Sequence, residues 1–163
     1  MGLKIVFLDI DGVLNHQDSK EFFEGYIGIE DAKVLLLKQV IDATAAKIVL
    51  SSTWRLGINK EGHRLANHAI YMQEKFGKYG LEIYDVTPEI TKYRCYRGEE
   101  IHTWLKDHPE VEQWVVLDDE WFADFREYDI PSHLVETSFY HGGMNEKHVE
   151  LAIKVLNGGG NNG

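Results

Sequence analysis

The sequence of 163 residues has a single cysteine, no long apolar run and no excess of positive charge. Cys95 has no possible intramolecular disulfide partner, so we expect a reducing, cytoplasmic location. No stretch is long enough to cross a bilayer, and the N-terminal apolar run is too short for a signal peptide and carries acids. The formal net charge of −10 argues against a broad nucleic-acid-binding face. Because the sequence has neither a spanning stretch nor a signal peptide, we expect no membrane partner.

The chain also lacks internal repeats, interdomain linkers and metal ligands at zinc spacing. His63 and His68 are five residues apart and have no cysteine or acid companions at zinc spacing, so we expect no zinc site. A chain of this length with 44% hydrophobic residues can form one domain with a core. We predict a single domain over 1–157 and a flexible tail over 158–163, because the Gly/Asn-rich end has no apolar residue to anchor it.

Short apolar strands alternate with amphipathic segments along the chain. The predicted strands are 4–8, 47–50, 81–86, 114–117 and 134–137. The predicted helices are 31–43, 61–76, 98–106 and a last helix capped by Asn145. Strands separated by helices favour an α/β, three-layer Rossmann-like fold with a mostly parallel, roughly five-stranded sheet. The polar, aromatic segment 15–28 is interpreted as a loop or flap, and Trp54 as a core residue.

Polar side chains follow three of the predicted strands at the point where each strand ends. Asp9 and Asp11 follow the first strand, a serine pair follows the second, and two adjacent acids follow the fourth. The carboxyl ends of parallel strands share one edge of a sheet, where ligands bind in open α/β folds. We expect these side chains to converge there.

Several carboxylates with hydroxyl groups and a nearby basic residue suit a hard cation together with a phosphate. Mg²⁺ prefers oxygen ligands and keeps positions for water and substrate phosphate. Ser51 and Ser52 offer hydroxyl and backbone N–H groups to phosphate oxygens, and Arg97 or Lys92 can neutralise them. The predicted cofactor is Mg²⁺, and the predicted partner is a phosphorylated substrate.

Four segments, in this order, resemble the motifs of the haloacid dehalogenase (HAD) superfamily. They are Phe7-Leu8-Asp9-Ile10-Asp11-Gly12-Val13-Leu14-Asn15, Ile48-Val49-Leu50-Ser51-Ser52, Arg97 at the start of a helix, and Val115-Val116-Leu117-Asp118-Asp119. Within the superfamily, the chain is most similar to small phosphatase-like domains linked to nucleic-acid end repair. The segments after the first motif and between the second and third are too short for a large cap domain.

The resemblance implies a role for each matching residue. Asp9 would be the nucleophile that forms an aspartyl-phosphate, and Asp11 the general acid and base. Mg²⁺ would bind Asp9, the main-chain carbonyl of Asp11 and one of the acids Asp118 and Asp119. We favour Asp119 for the metal and Asp118 for orienting the basic residue.

Two further assignments stay open. Either Ser51 or Ser52 binds phosphate, with Ser51 favoured because it comes first after the strand. The basic residue is Arg97 or Lys92, and the superfamily usually has lysine there.

The aromatic side chains are open to two interpretations each. Phe22, Phe23 and Tyr26 in the flap either stack on a base or close a pocket. Trp121 and Phe122 either line the mouth of the site or pack.

The expected activity is a Mg²⁺-dependent phosphomonoesterase whose substrate is a nucleotide or polynucleotide end phosphate. The alternatives are a phosphoprotein or small-metabolite phosphatase, a receiver-like domain that is phosphorylated without turnover, or a non-catalytic module that binds Mg²⁺ or phosphate. An open, uncapped site favours bulky substrates, whereas the negative net charge weakens the case for a polynucleotide.

Overall fold

Five parallel strands form the central sheet of the computed structural model, which describes residues 2–58, 67–90 and 96–159. In spatial order the strands are β5 (Ile83–Val86), β4 (Lys47–Leu50), β1 (Leu3–Leu8), β6 (Val111–Asp118) and β7 (Leu134–Glu136). The predicted α/β fold and the parallel sheet are confirmed. β6 starts three residues earlier than predicted, because its first half pairs with β1 as well.

The helices lie on both faces of this sheet. They are α1 (Asp31–Thr44), α2 (Asn67–Gly77), α3 (Arg97–Lys106) and α4 (Glu146–Leu156). Val6 and Leu8 of β1 pack in one core with apolar side chains of α1, α2 and α4, whereas Ile5 and Phe7 pack in a second core with α3. Because successive residues of a strand point to opposite faces, one apolar strand serves both cores. The result is the predicted three-layer arrangement.

The segment predicted as a loop over 15–28 contains a short antiparallel hairpin, so that prediction was wrong in part. The hairpin pairs β2 (Phe22–Phe23) with β3 (Tyr26–Ile27). Its turn residues Glu24 and Gly25 both have positive φ, as tight turns require. The Phe23 ring stacks on Tyr71 of α2, with centroids 4.3 Å apart, and this contact holds the hairpin against the domain.

The ends of the helices follow local sequence signals. Asn145 caps α4 as predicted, by accepting hydrogen bonds from the N–H groups of Lys147 and His148. The predicted helix 61–76 is described only from Asn67, since 59–66 lie outside the described residues. Gly158 and Gly159 close α4 through backbone hydrogen bonds, while 160–163 lie outside the described residues. The domain boundary and the flexible tail stay predictions.

No large cap domain is evident in the described ranges, where the hairpin is the only sheet structure between β1 and α1. None of the helices described is both long and apolar enough to cross a bilayer. Within the part of the chain that the structure describes, only short segments cover the carboxyl edge of the sheet.

Candidate active site

The residues that follow the strands are held in place by the ends of the neighbouring strands. The N–H of Asp9 donates to the carbonyl of Leu117 at 3.0 Å, and the N–H of Ser51 donates to the carbonyl of Leu8 at 2.9 Å. The chain leaves β1 and β6 on opposite faces of the sheet, which makes the gap between their carboxyl ends a topological switch point. The sequence places its acids on both sides of that gap.

Three acids converge at this switch point. One carboxylate oxygen from each of Asp9, Asp118 and Asp119 lies within 4.8 Å of the other two. Gly12 makes this approach possible, because a Cβ at its position would overlap the Asp119 carboxylate and its φ of 84° suits glycine. The side-chain hydroxyl of Thr137 donates to the carbonyl of Gly12 at 2.7 Å and fixes the loop.

Arg97 enters the acid cluster from α3. Its Nη1 lies 2.8 Å from Asp118 Oδ2 and 3.3 Å from Asp9 Oδ1, and the guanidinium carbon lies 4.5 Å from the centroid of the Phe122 ring. Arg97 is buried despite its charge. Phe122 thus packs on the basic group, while Trp121 remains exposed. Lys92, the alternative, lies outside the described residues, as do His63 and Cys95.

A carboxylate that is far away in the sequence, that of Asp124, fixes the start of α3 and therefore the position of Arg97. Asp124 accepts hydrogen bonds from the N–H groups of Gly98 at 3.0 Å and Glu99 at 2.9 Å. An acid at a helix N-terminus satisfies unpaired N–H groups and interacts favourably with the helix dipole. Asp124 lies beyond β6 in the sequence, so no local capping pattern reveals this contact.

Burial raises the pKa of every acid in the cluster, and the charge of Asp9 raises the pKa of Asp118 and Asp119 further. Burial is the main cause at Asp9, where Arg97 opposes the rise in pKa. The pKa of Asp118 is raised well above its ordinary value by burial and by the charge of Asp9. The same two causes raise the pKa of Asp119 to about 6.

The chemistry of this donor set fits a divalent cation. Three carboxylates that disfavour each other's ionisation become compatible when a cation supplies opposite charge. Oxygen donors from Asp9, Asp118 and Asp119 are the kind that Mg²⁺ prefers. A single buried arginine does not offset three negative charges.

Asp11 lies beside the cluster, and its side chain is engaged elsewhere. Its Oδ1 accepts a hydrogen bond from Asn15 Nδ2 at 2.9 Å, and its Oδ2 accepts one from Trp54 Nε1 at 3.1 Å. Asn15 also accepts from the N–H of Gly12 and donates to the carbonyl of Gly28, so it closes the loop around Asp11. Each carboxylate oxygen keeps a second lone pair for proton exchange.

The prediction that Trp54 is a core residue is confirmed only in part. The ring is half-buried and packs against the core, while its indole N–H donates to Asp11 and orients it. Asn15 holds the loop together through its three hydrogen bonds. Trp54 stands four residues after Leu50, the end of β4, where its ring can pack on the core while its indole N–H reaches the site.

The two serines differ in their surroundings. The Ser52 hydroxyl accepts a hydrogen bond from the N–H of Trp54 at 3.2 Å and also bonds to the Asp9 carboxyl, which lowers the pKa of that acid. The Ser51 hydroxyl is fully buried and has no hydrogen-bond partner within the described part of the chain. The choice between them for phosphate stays a prediction.

A buried arginine that sequence reasoning missed supports this turn. Arg55 donates to the carbonyls of Ser51 at 3.3 Å, Ser52 at 2.8 Å and Thr87 at 3.1 Å. Its Nη2 lies 2.6 Å from Glu100 Oε2, and both side chains are about 4% exposed. Burial raises the pKa of Glu100, and Arg55 opposes that rise. The pair therefore ties the serine turn to α3, the helix that carries Arg97.

Comparison with known proteins identifies the family. Residues 5–149 match the model of the HAD domain in Swiss Army Knife RNA repair proteins. The chain belongs to this family. The match includes both strands of the switch point, the serine turn and the start of α3. Membership in this HAD family supports a phosphatase-type activity in an RNA-repair context, and HAD domains generally use Mg²⁺. Neither a curated protein nor a solved structure matches the chain significantly.

Proposed function

We propose that this HAD domain is a Mg²⁺-dependent phosphomonoesterase that acts through an aspartyl-phosphate on a nucleotide or polynucleotide end phosphate. The observation that carries the proposal is the convergence of Asp9, Asp118 and Asp119 within 4.8 Å, with the Arg97 guanidinium against two of them. Such a site supplies both a nucleophile and the positive charge that a phosphoryl group needs. The cytoplasmic location expected from the single cysteine belongs to the same proposal.

The first step is an in-line attack by an Asp9 carboxylate oxygen on phosphorus. A phosphorus–oxygen bond forms to Asp9, the ester bond breaks, and the leaving oxygen takes a proton from Asp11. In the second step Asp11 takes a proton from water, which attacks the same phosphorus and releases inorganic phosphate and the Asp9 carboxylate. Asn15 and Trp54 orient Asp11 for both transfers through their hydrogen bonds to its two oxygens.

The remaining polar residues bind and orient. Arg97 neutralises phosphate oxygens, and Asp118 holds its guanidinium in place through the 2.8 Å contact. Asp9, Asp119 and the main-chain carbonyl of Asp11 would hold Mg²⁺, which supplies charge neutralisation for the phosphate. Both oxygens of Asp118 are engaged, by Arg97 and by the N–H of Glu120, which favours Asp119 as the direct ligand.

The open rim and the family together favour a nucleic-acid end. The described residues cover the site with a hairpin rather than a cap domain, so a bulky substrate has access. The family's RNA-repair context points to phosphorylated RNA ends. The net charge of −10 suits recognition of a terminus better than recognition of a long duplex.

The test compares the wild type with Asp9→Asn on a substrate panel with Mg²⁺ and with EDTA. The panel contains nucleoside monophosphates, 3′- and 5′-phosphorylated oligoribonucleotides, sugar phosphates and phosphopeptides. We expect hydrolysis that requires Mg²⁺ and falls by at least about 10³-fold in Asp9→Asn, because loss of a covalent nucleophile removes most of the rate enhancement.

The matched control is Asp42→Asn, which neutralises an exposed acid on α1. It should hydrolyse at the wild-type rate, and circular dichroism should show both variants folded. Turnover retained in Asp9→Asn would contradict the mechanism. Stable phosphorylation by acetyl phosphate without turnover would indicate a receiver-like domain instead.

A further inference from the structure

A cleft of about 620 Å³ opens directly beside Asp11. Its lining is mostly aromatic and consists of Asp11, Gly25, Tyr26, Ile27, Trp54, His68 and Phe139. The cleft therefore joins the carboxylate assigned to proton transfer with the aromatic hairpin. Apart from Trp54, which orients Asp11, these rings have no role in the mechanism proposed above.

The rings of the cleft are arranged around His68. Its centroid lies 5.2 Å from the Trp54 ring and 5.6 Å from the Tyr26 ring, in edge-to-face geometry. Despite these contacts, Tyr26 remains 67% exposed, and Tyr140, next to Phe139, is 69% exposed. Trp54, His68 and Phe139 are half-buried, so together with Tyr26 they give the cleft a partly exposed aromatic surface of the kind that marks a binding site.

The position of Asp11 determines which part of a substrate enters this cleft. A general acid must lie within hydrogen-bond reach of the oxygen that it protonates, so the leaving group extends from phosphorus toward Asp11. Trp54 donates to Asp11 Oδ2 at 3.1 Å, which fixes the indole beside the carboxylate that protonates the leaving oxygen. Among the described residues, the leaving group therefore meets mainly aromatic rings beside Asp11.

We propose that this cleft binds the base of the nucleoside whose phosphate is removed, by stacking on Tyr26, Trp54 and Phe139. The inference rests on the proposed phosphatase function. A flat π surface matches aromatic walls, and stacking attracts a base without any positive charge on the protein. With a net charge of −10, the domain gains little from phosphates other than the one at Arg97. The stacking rings are therefore expected to supply much of the affinity.

Stacking also predicts tolerance of base identity, because every base has a π face. The substrate class is a nucleoside phosphomonoester, either free or at the end of an RNA strand. Phosphotyrosine also carries an aromatic leaving group, so a preference for it is one of the outcomes of the test.

The experiment measures kcat/KM of the wild type, Tyr26→Ala and the control Tyr84→Ala. Tyr84 is a 46% exposed tyrosine on β5 that packs with Lys47, away from the cleft. The substrates are 5′-AMP, 5′-UMP, 3′-AMP, ribose 5-phosphate and O-phosphotyrosine. We expect Tyr26→Ala to lower kcat/KM for nucleotides about tenfold, mainly through KM, because one stacked base contributes roughly that factor. Ribose 5-phosphate, which has no base, should be unaffected, and Tyr84→Ala should match the wild type.

Short oligoribonucleotides with a 3′- or 5′-phosphate separate an RNA end from a free nucleotide. A stronger Tyr26→Ala effect on the oligonucleotides supports an RNA end, and an equal effect supports the nucleotide. Equal activity on ribose 5-phosphate and 5′-AMP with no effect of Tyr26→Ala would overturn the stacking site and leave the phosphatase intact. A preference for O-phosphotyrosine over every nucleotide would also overturn it.

A binding measurement separates this inference from the proposed activity. Calorimetric titration of 5′-AMP into Asp9→Asn, with and without Tyr26→Ala, reports the cleft without turnover. Affinity about tenfold weaker in the double variant supports the stacked base even if the wild type hydrolyses nothing. Identical affinities would contradict it.

Discussion

The two edges of the sheet differ in buried charge, and the edge that carries the buried charge has the smaller cleft. The cleft at the amino ends of the strands is the larger, about 1100 Å³ against about 620 Å³ beside Asp11. Its charged residues lie toward solvent: Lys4 donates to Asn157 and Glu112 accepts from the N–H of Gly2, both in exposed contacts. At the carboxyl edge, by contrast, Asp9 and Asp118 are buried against Arg97.

The cost of burying charge therefore identifies the candidate functional edge better than the volume of the cleft does. Removing carboxylates and a guanidinium from water costs several kcal/mol per ion, on the order of the stability of a small domain. Exposed charges such as those of the amino edge carry almost no such cost. Buried carboxylates whose pKa values are raised by that burial are candidates for catalytic or metal-binding groups.

Of the substitutions that test the difference between the two edges, Asp11→Asn at the carboxyl edge should have the largest effect on kcat. We expect kcat to fall about 10²–10⁴-fold, the usual contribution of general acid–base catalysis. The fold should persist, because the amide still accepts the hydrogen bond from Trp54. Steady-state kinetics on an aryl phosphate with a good leaving group should show a smaller loss, since that group needs no proton. An equal loss on both substrate types would contradict the assignment of Asp11 as the acid.

The buried pair behind the serine turn should matter for stability. Arg55→Met leaves Glu100 buried without its cation and should lower the free energy of unfolding by about 3–5 kcal/mol. Lys38→Met breaks the exposed pair with Asp42 and should change it by less than about 1 kcal/mol. Urea denaturation measures both values. Equal effects of the two variants would show that burial of the pair is unimportant.

The two serines should separate in their effect on phosphate binding. Ser51 is the favoured phosphate ligand, so we expect Ser51→Ala to raise KM about tenfold, roughly the loss expected for one hydrogen bond to a charged group. Ser52 bonds to Asp9, so Ser52→Ala should lower kcat more than it changes KM. Inhibition by inorganic phosphate checks both variants. A larger effect of Ser52→Ala on phosphate binding would move the assignment by one residue.

Mg²⁺ affinity should depend on pH at the carboxyl edge. The pKa of Asp119 is raised to about 6, so a bound proton must leave when the metal binds below that pH. Affinity should therefore weaken by up to about tenfold per pH unit below 6 for each proton displaced, and level off above it. Calorimetric titration of Mg²⁺ between pH 5 and 8 measures this. Affinity unchanged across that range would argue against Asp119 as a ligand.

The stability of the metal-free protein should change with pH in the opposite direction to its Mg²⁺ affinity. An acid whose pKa is higher in the folded state than in the unfolded chain is destabilising when ionised. The contribution of Asp119 thus lowers stability as pH rises from about 4 to 6, and Mg²⁺ should restore it. Thermal unfolding with and without Mg²⁺ should diverge most above pH 6.

The smallest effect is expected at the amino edge. Lys4→Met combined with Glu112→Gln removes charges from the larger cleft, and kcat and KM should stay within about twofold, because exposed charges contribute little. Enzyme kinetics on the best substrate of the panel measures this. A tenfold loss of activity would show that the large cleft takes part in the reaction.

Much of the fold was predictable because short-range patterns carry it. The strand Lys47–Leu50 has the predicted bounds, and α3 differs from the prediction by one residue. Apolar runs indicate buried strands, and Asn145 is the N-cap of α4. The hairpin over Phe22–Ile27 was missed because two-residue strands carry almost no periodic signal, and stacking on Tyr71 stabilises them instead.

The candidate site was predictable only in part. The acids after β1 and β6 are visible because each follows an apolar run directly. The supporting residues are not, since Arg55 meets Glu100 and Asp124 meets Gly98 across long stretches of sequence. No local pattern distinguishes a buried arginine from an exposed one.

The sequence alone determined which residue types end each strand, and therefore that acids, hydroxyls and an arginine belong to one edge of a parallel sheet. Only the tertiary structure decided which oxygens meet. Side-chain direction, burial and distance depend on packing between elements far apart in the chain, and these fix Asp11 on Trp54 and Asp118 on Arg97. The same packing opens the aromatic cleft beside Asp11.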